Sequence, residues 1–327
     1  MKIAIVRLSA LGDIFQSMIV LQFIKSRYPL AQIDWFVDSF YEDALKENKD
    51  IDNIIPINLK KLKNDFSIKE LLNTIKELKS FPSYDYIFDL QGLLKSAIVS
   101  RLIPGRNRIG FDKRSIRERL AVLFYSKTFF IPYHENVIKR YIGIVNHSLN
   151  LKLTTLEVLN KKPIFDYSKK IGIKNKIGLI IIGASFESKI YPVENFAKVI
   201  NSLNIDFIVS WKTSIEREMA LKLISLTNRA KLSESLDVSG LKSQVANSSI
   251  VIGGDTGPTH LAWAMNVPSI TIFGPTSMER NFFRTEINYG IKSNSQVDVY
   301  KINKSDFSIR EINSDEICRL AKRILKL

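Results

Sequence analysis

Short apolar runs rich in β-branched residues alternate along this chain with longer segments whose apolar residues recur at helical spacing. The runs lie at residues 3–8, 33–37, 86–88, 177–182, 206–210, 249–252 and 269–273. Strands without regular polar alternation are typical of sheets that are buried on both faces. The pattern therefore predicts an α/β fold, in which parallel sheets are covered by helices on both sides.

Residues 150–176 form a polar, lysine-rich stretch that separates the two series of runs and has no clean period. We place the domain boundary there, with one domain over residues 1–160 and the other over residues 170–327. Both halves begin with a strand that leads into a loop of small residues and then into a helix. This similarity predicts two Rossmann-like domains facing a central cleft, where loops at the carboxyl ends of the strands bind ligands.

The length of 327 residues and the hydrophobic content of 45% are sufficient for two buried cores. Residues 1–7 contain only a short apolar run, so we interpret them as a buried strand and not as a signal peptide. No window reaches the roughly 18 uncharged apolar residues of a membrane helix. The lone cysteine, Cys318, lies in a helical pattern, which favours a packing role and a reducing cytosol.

The net charge of +15 favours a polyanionic partner such as nucleic acid, anionic phospholipid or a phosphorylated substrate. Residues 101–150 contain ten Lys or Arg against three acidic residues, whereas residues 251–300 contain three against four. The basic excess therefore lies largely outside the last glycine-rich segment.

The first loop that could support chemistry is residues 9–13, with the sequence Ser-Ala-Leu-Gly-Asp, between the first strand and a helix. Gly12 permits a tight turn, and Asp13 stands at the start of the helix. Asp13 is either an N-cap or a general base, and the local pattern allows both interpretations. The loop lacks the glycines of the dinucleotide-binding fingerprint.

A second loop, residues 253–261, concentrates glycine, threonine and histidine between a buried strand and a helix. Glycines let the backbone approach a ligand, and the free N–H groups at a helix start favour phosphate. Thr256, Thr259 and His260 add hydrogen-bonding side chains. The segment therefore predicts a phosphate-binding loop.

Two further charged residues in the second half follow strands. Lys189 lies just before a helix and could neutralise a departing diphosphate, although a solvated surface lysine is the common alternative. Glu216 lies in the first turn of the helix after residues 206–210, where the helix dipole favours an acid without any function. A carboxylate at that position could also bind the hydroxyl groups of a ribose.

Two basic groups and a basic tail complete the candidate features. The groups consist of Arg101, Arg106, Arg108, Lys113, Arg114, Arg117 and Arg119, and of Lys60, Lys61 and Lys63. They predict either a site for an acidic acceptor or a generally basic surface. Residues 313–327 predict an amphipathic helix that packs back on the first domain or, alternatively, contacts a membrane surface.

Four segments together resemble the bacterial lipopolysaccharide heptosyltransferases, glycosyltransferase family 9. They are residues 9–13, residues 89–96 (Asp-Leu-Gln-Gly-Leu-Leu-Lys-Ser), residues 117–125 and residues 254–260 (Gly-Asp-Thr-Gly-Pro-Thr-His). The resemblance covers nearly the whole chain and is greatest to the member that adds the first heptose.

This resemblance implies the two-domain glycosyltransferase fold called GT-B and transfer with inversion, without a metal or other cofactor. The implied donor is ADP-L-glycero-β-D-manno-heptose, and the implied acceptor is the inner Kdo (3-deoxy-D-manno-octulosonic acid) of Kdo2-lipid A. Peripheral attachment at the cytoplasmic face of the inner membrane follows, and we expect a monomer.

By motif position, Asp13 resembles the base that takes a proton from the acceptor hydroxyl. Gly12, Arg117 and the lysines Lys60, Lys61 and Lys63 would contact the acceptor. Lys189 matches the lysine that stabilises the departing diphosphate, and Glu216 matches the acid that holds the ribose. The remaining donor-binding residues implied by the motifs are Ser185, Asp255, Thr256, Gly257 and His260.

The sequence departs from the family pattern at Ile182 and Ala184, where polar residues are expected, so donor contacts from that loop are the least supported. A later-acting core heptosyltransferase would differ in its acceptor alone. An NAD-dependent oxidoreductase is disfavoured by the missing glycine fingerprints. A nucleic-acid-binding protein is disfavoured because residues 101–119 contain just one aromatic residue, Phe111, for base stacking.

Overall fold

The computed structural model describes residues 1–59, 67–167 and 176–327. The chain divides into two compact units, residues 1–165 and residues 166–327. The division falls within the polar stretch 150–176. The predicted acceptor contacts Lys60, Lys61 and Lys63 lie outside the described residues.

The first unit contains a six-stranded parallel sheet in the order β3-β2-β1-β4-β5-β6. Its strands are β1 Lys2–Val6, β2 Gln32–Asp38, β3 Asn53–Ile57, β4 Tyr84–Asp89, β5 Gly105–Phe111 and β6 Lys127–Phe129. Its described helices are α1 Leu11–Ser17, α2 Ile19–Arg27, α3 Glu42–Leu45, α4 Ile68–Ser80, α5 Leu94–Leu102, α6 Val137–Leu149 and α7 Thr155–Leu159. Short 3₁₀ helices cover Ser39–Tyr41 and Arg119–Phe124.

The second unit repeats this arrangement, with a parallel sheet in the order β12-β11-β10-β7-β8-β9. Its strands are β7 Ile177–Ile181, β8 Asp206–Ser210, β9 Ala230–Leu232, β10 Ile250–Gly254, β11 Ser269–Phe273 and β12 Asn288–Lys292. Its described helices are α8 Val193–Ser202, α9 Ser214–Ser225, α10 Val238–Ala246, α11 Gly257–Ala264, α12 Met278–Asn281 and α13 Ser314–Leu325. Short 3₁₀ helices cover Glu187–Lys189 and Ser308–Glu311.

The strand order identifies where each unit binds ligands. Both sheets follow the doubly wound Rossmann order, and the direction of winding reverses between β1 and β4 and between β7 and β10. Open α/β sheets bind ligands outside the carboxyl ends of the strands that flank such a reversal. The loops after these four strands are therefore the places to examine, and the predicted motifs at residues 9–13, 89–96 and 254–260 lie on three of them.

The central strands are apolar because both faces of each sheet are covered. Ile3, Ala4, Ile5 and Val6 of β1 are fully buried, and all five residues of β10 are buried. Helices cover both faces of such a parallel sheet, so polar alternation is not needed. The predicted α/β fold class is confirmed.

The C-terminal helix belongs to the second unit, which corrects the expectation that its apolar face packs back on the first domain. Ile317, Ala321 and Leu325 of α13 are buried in the core that contains α8, β10 and β11. The carbonyl of Leu325 also accepts a hydrogen bond from the Lys176 side chain. The helix therefore buries its apolar face within its own unit, which also contradicts the membrane-surface alternative for that face. Among the described residues, no helix combines the length and apolar character needed to cross a membrane.

Candidate active site

In the first unit, Asp13 is held by an arginine and a tyrosine at the carboxyl end of β1. The Arg7 Nη2 atom lies 2.6 Å from Asp13 Oδ2. Tyr141 of α6 donates its hydroxyl to Asp13 Oδ1 at 3.1 Å. The Arg7 side chain is 7% exposed, whereas that of Asp13 is 39% exposed. The carboxylate is therefore fixed from inside the protein and remains accessible from outside.

Asp13 is not the N-cap that one interpretation of the sequence expected. The N-cap position of α1 is Ala10, which makes no side-chain hydrogen bond, and Asp13 is the third helical residue. Its two carboxylate oxygens contact Arg7, which directly follows β1, and Tyr141 of α6, whereas a cap would accept a backbone N–H. The position is thus built around an ion pair.

Arg7 is itself held rigidly in a cationic state. Its Nη1 donates to the Leu90 carbonyl at 2.8 Å, and its guanidinium lies 5.4 Å from the centre of the Tyr141 ring. Burial opposes its charge, but Asp13, Tyr141 and Asp89 together outweigh burial, so the pKa of Arg7 is raised. A permanent cation therefore lies beneath Asp13 and fixes the position of its carboxylate.

The loop after β4 is organised by a buried carboxylate. Asp89 is fully buried and accepts hydrogen bonds from the backbone N–H groups of Gln91 and Gly92, at 2.8 and 3.0 Å. The hydroxyls of Ser96 and Tyr125 donate to its other oxygen at 2.8 and 2.7 Å. Burial raises the pKa of Asp89 despite these four bonds. The loop is therefore tied to α5 and to the segment before β6.

Gln91 joins this loop to the loop that contains Asp13. Its Oε1 accepts the backbone N–H of Leu8 at 2.9 Å, and its Nε2 donates to Ser9 Oγ at 3.2 Å. Lys95, which is exposed, also donates to Ser9 Oγ at 3.1 Å. Both residues belong to the motif at residues 89–96, but neither had a predicted role. The only signal was that this motif follows β4, which lies beside β1 in the sheet.

Arg117 lies at the same edge and is exposed. Its neighbour Glu118 accepts the backbone N–H of Leu94 at 2.6 Å, which brings this segment to the start of α5. Gly12 is buried within α1. Of the predicted acceptor contacts described by the structure, Gly12 and Arg117 thus both lie at the edge formed by β1 and β4.

Other members of the basic group at 101–119 are placed differently. The Arg108 guanidinium donates to the carbonyls of Ser100, Ile103 and Gly105 at 2.9 to 3.2 Å, so it closes the end of α5. Arg106 lies near the amino end of β5, at the opposite edge of the sheet from Asp13. Arg108 therefore has a structural role, and Arg106 lies away from Asp13, so neither supports the acceptor-site alternative for this group.

In the second unit, Asp255 follows β10 and organises a buried cluster. Its Oδ1 lies 2.8 Å from His260 Nε2, and its Oδ2 lies 3.4 Å from Lys189 Nζ. Asn281, at the end of α12, donates to the same Oδ2 at 3.2 Å. Asp255, Lys189 and His260 are 5%, 9% and 8% exposed. The structure thus brings Lys189 to the motif residues Asp255 and His260 and adds Asn281, which no sequence pattern indicated.

Asp255 is ionised because its neighbours outweigh its burial. Burial alone would raise its pKa, but the Lys189 charge, the His260 ring and the Thr276 hydroxyl hold the pKa well below the ordinary value. An ionised carboxylate only accepts hydrogen bonds, so His260 Nε2 carries the proton in this contact. Asp255 therefore orients Lys189 and fixes the tautomer of His260 when the ring is neutral.

The helix α11 begins two residues after Asp255. The first N–H groups of α11 have no partners within the helix, and Thr256 immediately precedes it. The Thr256 hydroxyl is buried and makes no hydrogen bond to any described residue. A Cβ on Gly254 would lie 2.8 Å from the Lys189 carbonyl oxygen, so glycine is required for this close approach. These features suit a phosphate group at the start of α11.

Glu216 has the capping role that one of the two interpretations of the sequence expected. Its Oε2 accepts the backbone N–H groups of Lys212 and Thr213 at 2.6 and 3.3 Å, and its own N–H donates to the Thr213 hydroxyl. It is therefore part of a capping box at the start of α9. A Cβ on Gly183 would lie 2.1 Å from Glu216 Oε1, so this oxygen lies against Gly183, just beyond the carboxyl end of β7. Ser185, in the loop after β7, is exposed.

Comparison with known proteins identifies the family. The model for glycosyltransferase family 9 (heptosyltransferase) matches residues 72–298. Lipopolysaccharide heptosyltransferase 1 of Campylobacter coli is 38% identical over 99% of both chains. The chain belongs to glycosyltransferase family 9, the heptosyltransferases.

Two further relatives extend this result. Lipooligosaccharide heptosyltransferase 2 of Campylobacter jejuni is 29% identical, over 84% of this chain and 82% of the relative. Escherichia coli heptosyltransferase WaaC with ADP matches the fold with a TM-score of 0.82, at 20% identity, over 99% of this chain and 100% of that structure. The predictions of a family 9 enzyme and of the GT-B fold are confirmed, and the oxidoreductase and nucleic-acid alternatives are set aside.

Within residues 1–59, 67–167 and 176–327, no group of three or more His, Cys, Asp or Glu side chains could hold a metal ion. Lys189 and the start of α11 provide positive charge beside Asp255.

Glu216 allows the capping and binding roles to be separated by a matched pair of variants. Glu157 closes a similar capping box at the start of α7, where it accepts the Thr154 N–H at 2.7 Å. We expect Glu216→Ala and Glu157→Ala to lower the melting temperature by similar, small amounts. If Glu216 also binds the ribose, as the family resemblance implies, ADP affinity measured by calorimetry should fall by about tenfold in Glu216→Ala alone. Equal affinities in the two variants would limit Glu216 to capping.

The depressed pKa of Asp255 predicts a specific dependence of stability on pH. A carboxyl with a lowered folded-state pKa stabilises the protein above its unfolded pKa, about 3.9, and this stabilisation is lost as the pH falls below it. The native chain should therefore exceed Asp255→Asn in free energy of unfolding near pH 7. Urea unfolding at successive pH values should show this difference shrinking below about pH 4. A difference that stays constant down to pH 3 would contradict the ionised cluster.

Proposed function

We propose that this heptosyltransferase transfers L-glycero-D-manno-heptose from ADP-heptose to the inner Kdo of Kdo2-lipid A, in the inner core of lipopolysaccharide or lipooligosaccharide. The main support is the buried cluster of Asp255, Lys189 and His260 beside the start of α11, in a chain similar along 99% of its length to the Campylobacter coli enzyme. An ionised, positioned cluster of this kind suits a diphosphate leaving group.

In the first unit, the proposed base is Asp13. It removes the proton of the acceptor hydroxyl while the hydroxyl oxygen attacks the anomeric carbon of the donor. Arg7 and Tyr141 hold the carboxylate, and its 39% exposure leaves room for the acceptor hydroxyl to approach. Base catalysis by a positioned carboxylate typically contributes about 10² to 10⁴ in rate. The new bond forms opposite the departing ADP, so the configuration of the anomeric carbon inverts.

In the second unit, the bond from the anomeric carbon to the diphosphate breaks, and negative charge develops on ADP. Lys189 and the N–H groups of α11 neutralise this charge, with Thr256 and His260 as further donors. Asp255 keeps Lys189 in position through the 3.4 Å ion pair. Glu216 Oε1, at the end of β7, would accept hydrogen bonds from the ribose hydroxyls. Gly257 and the exposed Ser185 complete the proposed donor site.

We expect the reaction to proceed without a metal ion. Lys189, the dipole of α11 and the Thr256 hydroxyl provide positive potential at the proposed position of the diphosphate, which is the electrostatic role a divalent cation would otherwise serve. Turnover should therefore persist when divalent cations are chelated.

The acceptor explains the basic, exposed residues at the edge formed by β1 and β4. Arg117 and Lys95 lie there, and a guanidinium fork binds carboxylate or phosphate oxygens well. Kdo has a carboxylate, and the lipid A part adds phosphates. We infer that the enzyme works as a monomer at the cytoplasmic face of the inner membrane, where this lipid-linked acceptor would be available.

A later-acting heptosyltransferase is the alternative. The identity of 38% to heptosyltransferase 1 of Campylobacter coli, over nearly the whole chain, favours the first transfer over the second, for which the Campylobacter jejuni relative has 29%. The two enzymes would share a donor and differ in the acceptor.

Release of ADP tests this proposal. The purified chain is given ADP-heptose and a chelator, together with de-acylated Kdo2-lipid A, a heptosylated core oligosaccharide or no acceptor. We expect ADP release with Kdo2-lipid A alone. Release only with the heptosylated core would assign a later step, and release without any acceptor would indicate hydrolysis in place of transfer.

A further inference from the structure

Two leucines project outward from the short 3₁₀ helix Arg119–Phe124 of the first unit. Leu120 is 65% exposed and Leu123 is 78% exposed, whereas Ala121 between them is fully buried. Adjacent exposed aliphatic side chains that are surrounded by charged residues are typical of an interaction site.

The geometry of the helix places the two leucines side by side. In a 3₁₀ helix, residues three apart lie on the same face. Leu120 and Leu123 therefore share one face, and Ala121 and Phe124 share another, which is directed inward. The exposed pair is thus a regular feature of the helix.

The helix is also held firmly from beneath. Tyr125, directly after it, donates its hydroxyl to the buried Asp89 at 2.7 Å. The Tyr125 ring covers Gly110 of β5 so closely that a Cβ there would lie 2.3 Å from it. On the other side, Ile116 packs against Gly92. These contacts present the leucines at a fixed position near the loop that follows β4.

The surroundings of the leucine pair are strongly cationic. Residues 113–127 contain one acid, Glu118, and its carboxylate accepts the Leu94 N–H. The exposed basic residues of this segment are Lys113, Arg114, Arg117, Arg119 and Lys127. An apolar pair flanked in the chain by exposed cationic residues is complementary to a surface that is apolar below an anionic layer.

We propose that Leu120 and Leu123 insert into the headgroup layer of a membrane that contains anionic phospholipid, with the surrounding Lys and Arg residues bound to the headgroups. A second copy of this chain fits the surface poorly, because a twofold contact would place the same exposed Lys and Arg residues of the two copies against each other. The membrane contact rests on the proposed function only for the identity of the lipid-linked acceptor. Docking here would hold Arg117 and the edge formed by β1 and β4 at the membrane.

Vesicle binding tests the proposal. The native chain, the double variant Leu120→Ser/Leu123→Ser and the control Leu156→Ser/Leu159→Ser are sedimented with vesicles of phosphatidylcholine, alone or mixed with phosphatidylglycerol. The control removes two exposed leucines that are also three apart, on α7. We expect the native chain and the control to bind the mixed vesicles alike, and the double variant to bind about tenfold more weakly.

Activity supplies a second readout. On Kdo2-lipid A embedded in mixed vesicles, the double variant should have a raised KM, whereas its turnover of de-acylated Kdo2-lipid A should equal that of the native chain. Unchanged vesicle binding by the double variant, or no binding by the native chain, would overturn the docking proposal. A native dimer that the double variant converts to a monomer would overturn it in favour of self-association. Absence of turnover with both acceptors would count against the proposed function alone, since vesicle binding would still decide the docking surface.

Discussion

Replacing Asp13 with asparagine is expected to lower kcat for heptose transfer by about 10² to 10⁴, because asparagine cannot accept the proton of the acceptor hydroxyl. The substitution preserves the size of the side chain and its ability to hydrogen-bond Tyr141. ADP affinity, measured by calorimetry, should not change, because Asp13 takes no part in the proposed donor site. Steady-state ADP release with saturating acceptor measures the effect.

Tyr141→Phe is the control for Asp13→Asn. It removes the 3.1 Å hydrogen bond to Asp13 but leaves the carboxylate and its ion pair with Arg7 intact. We expect a loss of about tenfold or less, since one supporting hydrogen bond is removed. If Asp13→Asn retained activity close to that of Tyr141→Phe, Asp13 would serve only to pair the buried Arg7, and the base would have to be sought elsewhere.

Replacing Lys189 with methionine is expected to lower kcat by about 10² to 10³, because the negative charge that develops on ADP loses its principal cation. Methionine fills a similar volume, so the buried position stays packed. The substitution also leaves the buried Asp255 without its lysine partner, although His260 and Asn281 still contact the carboxylate. Single-turnover measurements of ADP formation isolate the chemical step from product release.

Lys222→Met is the matched control in the same unit. Lys222 forms an ion pair with Glu194 at 2.6 Å, and both side chains are more than half exposed. Surface pairs of this kind contribute little, so kcat should stay within about twofold of the native value. Similar rates for the two variants would exclude Lys189 as the group that neutralises the departing diphosphate.

The sequence predicted the fold well where strands are buried on both faces. All seven predicted runs are strands, because the centre of a doubly wound sheet requires uninterrupted apolar residues. Strands at or next to the sheet edges were missed for the opposite reason. β5 carries two arginines, and β6 and β9 have three residues each, so their periodicity resembles that of loops.

The prediction of the site succeeded where a motif is local and was incomplete where partners are distant in the chain. Asp255 and His260 lie five residues apart, so their contact follows from one strand-to-helix turn. Tyr141 is 128 residues from Asp13, and Asn281 is 26 residues from Asp255. Neither partner belongs to a motif, and only the packing of α6 and α12 brings them to the carboxylates. The local pattern at Asp13 also could not distinguish a cap from an ion pair, since that difference depends on Arg7.

Determining the structure of the reaction product tests the central claim most directly. The native chain is incubated with ADP-L-glycero-β-D-manno-heptose and de-acylated Kdo2-lipid A, and the purified product is examined by mass spectrometry and NMR. The account predicts one added heptosyl residue, linked to the inner Kdo with the α configuration that inversion of a β donor produces. A β-linked product, or heptose attached to any other sugar, would contradict it.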